Sequence, residues 1–237
     1  MHRRPVSGEV ATHMTTTLYS GPLSMFGAKV EIAAREKGVP FDLVMVPFTT
    51  DDAYEPKHPE VLRVNPVKQQ VPVWVDSEVS LFDSTQILEY LEDRYPGPAH
   101  LALWPRGIAE RARARQLEQK SDEVFFPHVI KLFGLQHDMK SAAAVAACAG
   151  CARFYDEMEG LLATREHLGG AYSFADIAFY MACVFADRKG AGMTGATPRL
   201  LAWRARVGER PAVRAVVDPM MRFLTSHGRG VPAFLQR

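Results

Sequence analysis

Residues 71–84 read Val-Pro-Val-Trp-Val-Asp-Ser-Glu-Val-Ser-Leu-Phe-Asp-Ser, and this stretch decides the fold. Val71 to Val75 and Val79 to Phe82 are rich in β-formers and flank Asp76-Ser77-Glu78, so they predict a hairpin with a compact turn. Asp83-Ser84 then opens a helical pattern through Tyr95, with Ile87, Leu88 and Leu91 on one face, until Pro96-Gly97-Pro98 stops it. Upstream, Thr16 to Ser20 reads as a strand ended by Gly21-Pro22. Ser24 precedes a second helical pattern, with Phe26, Val30 and Ala33-Ala34 at helical spacing and Lys37-Gly38 at its stop. Phe41 to Val46 predicts another strand, and Thr49 to Pro59 a polar loop with at most a short helix after it. The order β-α-β, loop, β-β-α describes a thin sheet with helices packed on it.

Downstream of Trp104-Pro105 the chain reads as helical throughout. Leu117, Val124, Val129 and Leu132 recur at helical intervals, and Ala142 to Leu162 is rich in alanine with few breakers. Gly169-Gly170 interrupts the pattern before Ser173-Phe174-Ala175-Asp176, whose S-x-x-D spacing matches a capping box. The helix that follows is apolar all round and is expected at the buried centre of a helical unit. The predicted class is therefore α/β plus all-α. Residues 1–14 are expected to be a flexible tail, with Met14 an alternative start; 15–97 an α/β domain; 98–105 a linker; and 106–237 an all-helical domain.

Composition narrows the function classes. A chain of 237 residues, 47% hydrophobic and 23% charged, can bury one large core or two small ones. A net charge of +1 gives no electrostatic reason to expect nucleic acid or an anionic membrane as partner. The longest apolar run, Ile177 to Ala186, is too short to span a bilayer, and Met1 to Met14 lacks the apolar core of a secretory signal. Three cysteines make a disulfide framework unexpected, which suits a reducing cytoplasm.

Three positions point to chemistry. Pro72 stands at the start of a strand, where its missing donor matters least. A cis bond before it would turn the Val71 backbone outward to pair with an extended ligand as an added strand; the plain alternative is a proline that ends the preceding loop. Asp83-Ser84 stands at a helix start, where backbone donors and the dipole favour a carboxylate and Asp83 can take an ammonium; the plain alternative is an N-cap. An α-amino acid terminus carries both charges at this separation. Ser24 occupies the place where a thioredoxin-like fold carries its first active-site cysteine. Its hydroxyl can donate to a bound thiolate, or it can simply cap the helix. Holding a thiol as an anion at neutral pH requires a pKa about two units below ~8.5, or roughly 2.7 kcal/mol. A hydrogen bond to the charged sulfur contributes about 1.5–3 kcal/mol and a helix N-terminus about 0.3–1 kcal/mol, which suffices without a metal.

These pieces, in this order, resemble the glutathione S-transferase superfamily from Thr15 onward. Ser24-Met25-Phe26-Gly27 looks like the active-site serine motif of the tau-type branch, which implies Ser24 as the residue that stabilises the thiolate. The resemblance further implies a thioredoxin-like domain followed by a helical bundle, and glutathione as co-substrate with no metal. Lys57 in Lys57-His58-Pro59, then Gln70, Val71, Asp83 and Ser84, would hold glutathione. Asn65-Pro66 and Val71-Pro72 match the stretch that leads to the family's cis-proline, so Pro72 would be structural, as would the capping pair Ser173 and Asp176. Gln70 stands where the tau branch often has lysine, so the class stays open. The first long helix of the second domain would line the electrophile pocket, for which Phe26, Phe126 and Val129 are the candidates, with Phe234 either closing over it or loose. Homodimers are usual in the superfamily.

Other residues invite chemistry that their context argues against. Tyr19 is expected in a core or supporting role. Cys148 and Cys151 form a lone C-x-x-C in an alanine-rich helix and read as structural thiols. Arg106, Arg111, Arg113 and Arg115 alternate with Glu110 and Glu118 as on a solvated helix face. The expected function is attack of the glutathione thiolate on a small hydrophobic electrophile. A glutathione-dependent isomerase, dehalogenase or ether-cleaving enzyme is the nearer alternative, and a non-catalytic adaptor the more distant one.

Overall fold

The structure, a computed structural model, describes residues 15–49 and 53–236; the expected tail at 1–14 lies outside the described residues. Four strands, β1 (Thr17–Ser20), β2 (Asp42–Met45), β3 (Val73–Val75) and β4 (Ser80–Phe82), form one sheet in the order β2-β1-β3-β4. β1 and β2 run parallel, and β3 pairs antiparallel with both β1 and β4. Each strand is one or two residues shorter than its β-former run, because the run's ends lack a ladder partner.

Three helices pack on this sheet: α1 (Met25–Glu36), α2 (Pro59–Val64) and α3 (Ser84–Arg94). The period-2 pleat of β1 decides which face meets which helix. Leu18 and its partner Trp74 point into the core shared with α1 and α3, whereas Tyr19 points to the opposite face with Val61 and Val73. Asp76 fixes the hairpin turn and ties it to α3. One carboxylate oxygen accepts from the Glu78 and Val79 amides at 2.8 and 2.9 Å, and the other from Trp74 Nε1 and the Tyr90 hydroxyl at 3.1 and 2.7 Å. Burial alone would raise this carboxyl's pKa, but those bonds outweigh it and hold it below the usual range.

The rest is helical: α4 (Ile108–Lys120), a π turn (Ser121–Phe125), α5 (Phe126–Gly134), α6 (Ala142–Leu161), α7 (Phe174–Arg188), α8 (Pro198–Gly208), α9 (Pro211–Ser226) and a final 3₁₀ turn (Ala233–Leu235). α7 is buried from Phe174 to Ala186 and sits at the centre, as its all-round apolarity predicts. Its capping box is formed. Asp176 accepts from the Ser173 amide at 3.0 Å, and also from the Leu168 amide at 2.9 Å and Trp203 Nε1 at 2.8 Å. One spacing expectation fails at the π turn: the wider turn carries Phe125 fully inward and leaves Val124 about half exposed. Among the described residues no helix is long and apolar enough to cross a membrane.

The sheet layer and the helical part are joined by buried ions. Lys29 on α1 reaches Glu118 at 2.7 Å and Asp122 at 2.5 Å, and Arg210 grips Glu36 with two bonds of 2.6 and 2.8 Å. Glu118 therefore is no solvated neighbour of the α4 arginines, as its spacing suggested, but the buried counter-ion of Lys29.

Candidate functional site

Ser24 is the N-cap of α1, extended in backbone and buried. Its Oγ accepts the Gly27 amide at 2.9 Å, which occupies one lone pair and leaves the hydroxyl proton without an acceptor among the described residues. Gly27 is required there: a Cβ would stand 2.0 Å from Ser20 Oγ and 3.1 Å from Ser24 Oγ. Tyr19 does not share this location. It faces away with β1's odd residues, its ring 4.8 Å from that of His58, which supports the non-catalytic reading.

Beside α1 runs a cleft of about 1130 Å³ between the sheet layer and α4. Gln70, Val71, Asp83 and Ser84 line the cleft, with Arg115 and Asp122 among its other lining residues. The Val71–Pro72 bond is cis, and β3 begins only at Val73, so Val71 lies outside the paired register. Asn65 secures the approach to it by donating to the Gln70 carbonyl at 3.1 Å. Asp83 rather than Ser84 is the cap of α3. Its carboxylate accepts from the Thr85 and Gln86 amides at 3.1 and 3.4 Å, and Ser84 is the buried first residue of the helix. Asp83 holds φ +74°, a conformation worth about 1–3 kcal/mol of strain for a residue with a Cβ. Lys57 is not brought to the cleft; it pairs with Glu55 at 3.2 Å. Lys68 is there instead, carried by the turn after Asn65. Arg115 also turns toward the cleft, anchored on Glu89 at 2.8 Å.

At the base of the cleft, burial pushes the Asp122 carboxyl up to about 6; Lys29 pulls the other way, and Glu118 and Asp83 add to the rise. Its Oδ1 is buried without a hydrogen-bond partner.

A second pocket of about 230 Å³ adjoins the first and shares Phe26, Gln70 and Val71 with it. Ser24 lies in its wall, so the hydroxyl stands beside the partition. Phe26 meets Phe126 edge-on at 5.6 Å, and Phe126 meets Phe185 the same way at 6.1 Å. Phe26 and Phe126 line this pocket, and Val129 does not. α5 turns Phe126, Ile130 and Phe133 (i, i+4, i+7) to the pocket and Val129 into the core with Leu132. Phe234 takes no part in this pocket. Its ring lies under the Arg204 guanidinium, 3.8 Å away.

Sequence reasoning missed Phe48, Tyr54 and Arg188 in the second pocket. Tyr54 comes from the polar loop, and its place depends on Gly21: a Cβ there would meet the ring at 2.1 Å. Gly21 next to Pro22 was readable as a strand stop, but not as a seat for a ring about thirty residues away. Arg188, the one cation ending an apolar helix, was the readable signal. Cys151 is buried, and burial pushes its thiol up to about 12, as suits a structural residue.

Residues 18–99 match a family model described as Glutathione S-transferase, N-terminal domain. Probable glutathione S-transferase GSTU1 of Oryza sativa is 29% identical over 205 residues, 81% of this chain and 84% of its own. Stringent starvation protein A homolog of Coxiella burnetii is 36% identical over 116 residues; there the chain spans about half the length of the relative, 50%, with 49% of its own. Among solved structures, rice GST1 in complex with glutathione superposes with a TM-score of 0.76 at 25% identity, covering 92% of this chain and 96% of that one.

Proposed function

Because the chain belongs to the glutathione S-transferase superfamily, we propose that it is a glutathione transferase that joins the sulfur of glutathione to a carbon of a small hydrophobic electrophile. The observation that carries this reading is Ser24: a buried hydroxyl, its oxygen held by the Gly27 amide and its proton uncommitted, in the wall of the aromatic pocket beside the residues it shares with the polar cleft. In the cleft, the γ-glutamyl carboxylate meets the start of α3 at Ser84 while its ammonium meets Asp83. The peptide then extends past Val71, whose backbone pairs with it, and Gln70 borders the same path. Lys68, rather than Lys57, supplies the nearby cation. The sulfur arrives at Ser24, which donates to it and keeps it a thiolate at the N-terminus of α1. Phe26 and Phe126 bound the electrophile with apolar surface.

Pro72, Ser173 and Asp176 act through structure only. The chain divides into a glutathione-binding domain at 15–97, a linker at 98–105 and a helical domain at 106–237. It works as a cytoplasmic homodimer in detoxification. Retention on immobilised glutathione followed by conjugation kinetics tests the assignment. A stable thioether product and a slow Ser24→Ala variant support it. Binding without any thioether would move the protein to an isomerase, dehalogenase or ether-cleaving reaction, and dimers without affinity for glutathione would make it an adaptor. An alanine variant with unchanged rate would remove Ser24 from the mechanism.

A further inference from the structure

The aromatic pocket has one polar corner. Arg188, at the end of α7, turns its guanidinium into the pocket, and both Nε and Nη1 are buried with no hydrogen-bond partner. No carboxylate pairs with it among the described residues, and its nearest neighbour of note is the face of Phe185, 5.1 Å from Cζ. Tyr54 lines the same pocket from the loop after β2; its hydroxyl is buried, the Leu23 backbone reaches its oxygen, and its proton has no acceptor among the described residues. Burial lowers the Arg188 pKa and raises that of Tyr54 well above the ordinary phenol range, while the Leu23 backbone and Arg188 pull the phenol in the other direction. Both groups therefore remain donors at neutral pH. Buried donors without acceptors are costly, and here Arg188 Nε, Arg188 Nη1 and the Tyr54 hydroxyl proton go unused at the wall of one pocket. One guanidinium N–H together with the phenol hydroxyl can donate to the two oxygens of a carboxylate.

We propose that the second substrate is an electrophile bearing a carboxylate, which pairs with Arg188 and Tyr54 while its reactive carbon faces the sulfur at Ser24. This inference rests on the transferase reading and narrows its substrate class. The apolar middle of such a molecule lies among Phe26, Phe126 and Phe185. The bond that forms is carbon–sulfur; the bond that breaks is that to the leaving group, which departs with the electron pair, or, in an addition, the carbon–carbon π bond, whose carbanion takes a proton from water. Arg188 and Tyr54 touch only the carboxylate, so they set specificity.

A matched pair of benzylic chlorides tests this: 4-(chloromethyl)benzoate and its neutral methyl ester, each with glutathione and corrected for the uncatalysed rate. Arg188→Met should lower kcat/KM for the acid by about 10- to 100-fold and leave the ester within about threefold, with the KM for glutathione unchanged. Tyr54→Phe should act in the same direction by about three- to tenfold. Equal loss on acid and ester, or a raised KM for glutathione in step with the loss, would overturn the proposal; the latter would make Arg188 a partner of the peptide's own carboxylate. Calorimetric binding of unreactive 4-methylbenzoate separates this idea from the transferase reading. If neither chloride is conjugated yet the benzoate binds wild type and not Arg188→Met, the anion site stands and the transferase reading falls. If wild type and variant, both folded by near-ultraviolet circular dichroism, bind the benzoate equally or not at all, the anion site falls.

Discussion

Two cations, the fully buried Lys29 and the half-buried Arg188, lie on either side of the partition formed by Phe26, Gln70 and Val71, and they are treated in opposite ways. Lys29, under the cleft, is fully enclosed and held by two carboxylates at 2.7 and 2.5 Å, so burial's tendency to discharge it is overcome and its pKa is raised. Arg188, in the adjoining pocket, has no such partner, and its pKa is lowered. A cation whose counter-ions are part of the chain is architecture. A cation left without one at a cavity wall is a binding group, because only a visiting anion can repay its desolvation.

The sharpest way to break this contrast is to delete each charge and measure stability. Lys29→Met leaves Glu118 and Asp122 buried without their cation and should destabilise the fold by about 3–5 kcal/mol in urea unfolding. Arg188→Met removes an unpaired charge and should leave stability unchanged or raise it. If Arg188→Met destabilises as much as Lys29→Met, the guanidinium has a structural partner and the contrast fails.

Next in size is Ser24→Ala, which on the proposed mechanism removes one hydrogen bond to a charged sulfur. We expect kcat/KM to fall by about 10- to 150-fold, and the pKa governing the rate to move upward toward that of free thiol. Smaller is Gly27→Ala. A methyl 2.0 Å from Ser20 Oγ forces that side chain or α1 to shift, which should destabilise by about 1–3 kcal/mol and displace the Ser24 hydroxyl with it. The smallest effect is on the pH profile. Asp122 titrates at about 6 in the fold and near 3.9 in the unfolded chain, so between those values the folded state holds the extra proton. Its contribution is therefore most favourable below about pH 4 and declines as pH rises through 6. The melting temperature of Asp122→Asn, followed from pH 4 to 7, should lack that decline; an identical profile would show that Lys29 keeps Asp122 ionised throughout.

The two sides of the partition also differ in how much of them could be read from sequence. The cleft is built from short contiguous motifs, Gln70-Val71-Pro72 and Asp83-Ser84, whose backbone chemistry travels with them, and all of these line it. The fold is legible for the same reason: Gly-Pro stops, strand runs and the capping box are local signals. The second pocket is assembled from Phe48, Tyr54, the start of α1, α5 and the end of α7, and no local pattern says that these meet. Val129 lies in the core rather than at the pocket; it follows a π turn, and π turns have no simple sequence mark. Lys57 was carried to the cleft by resemblance alone, and its neighbour Glu55 claims it.

The partition has an evolutionary consequence. The cleft and the aromatic pocket, proposed here for thiol donor and acceptor, are lined by sets of residues that share only residues 26, 70 and 71. Exchanges at positions 48, 54, 185 or 188 can therefore retune which foreign molecule is accepted while the tripeptide's seat stays intact. A scaffold divided in this way separates the choice of acceptor from the hold on the donor.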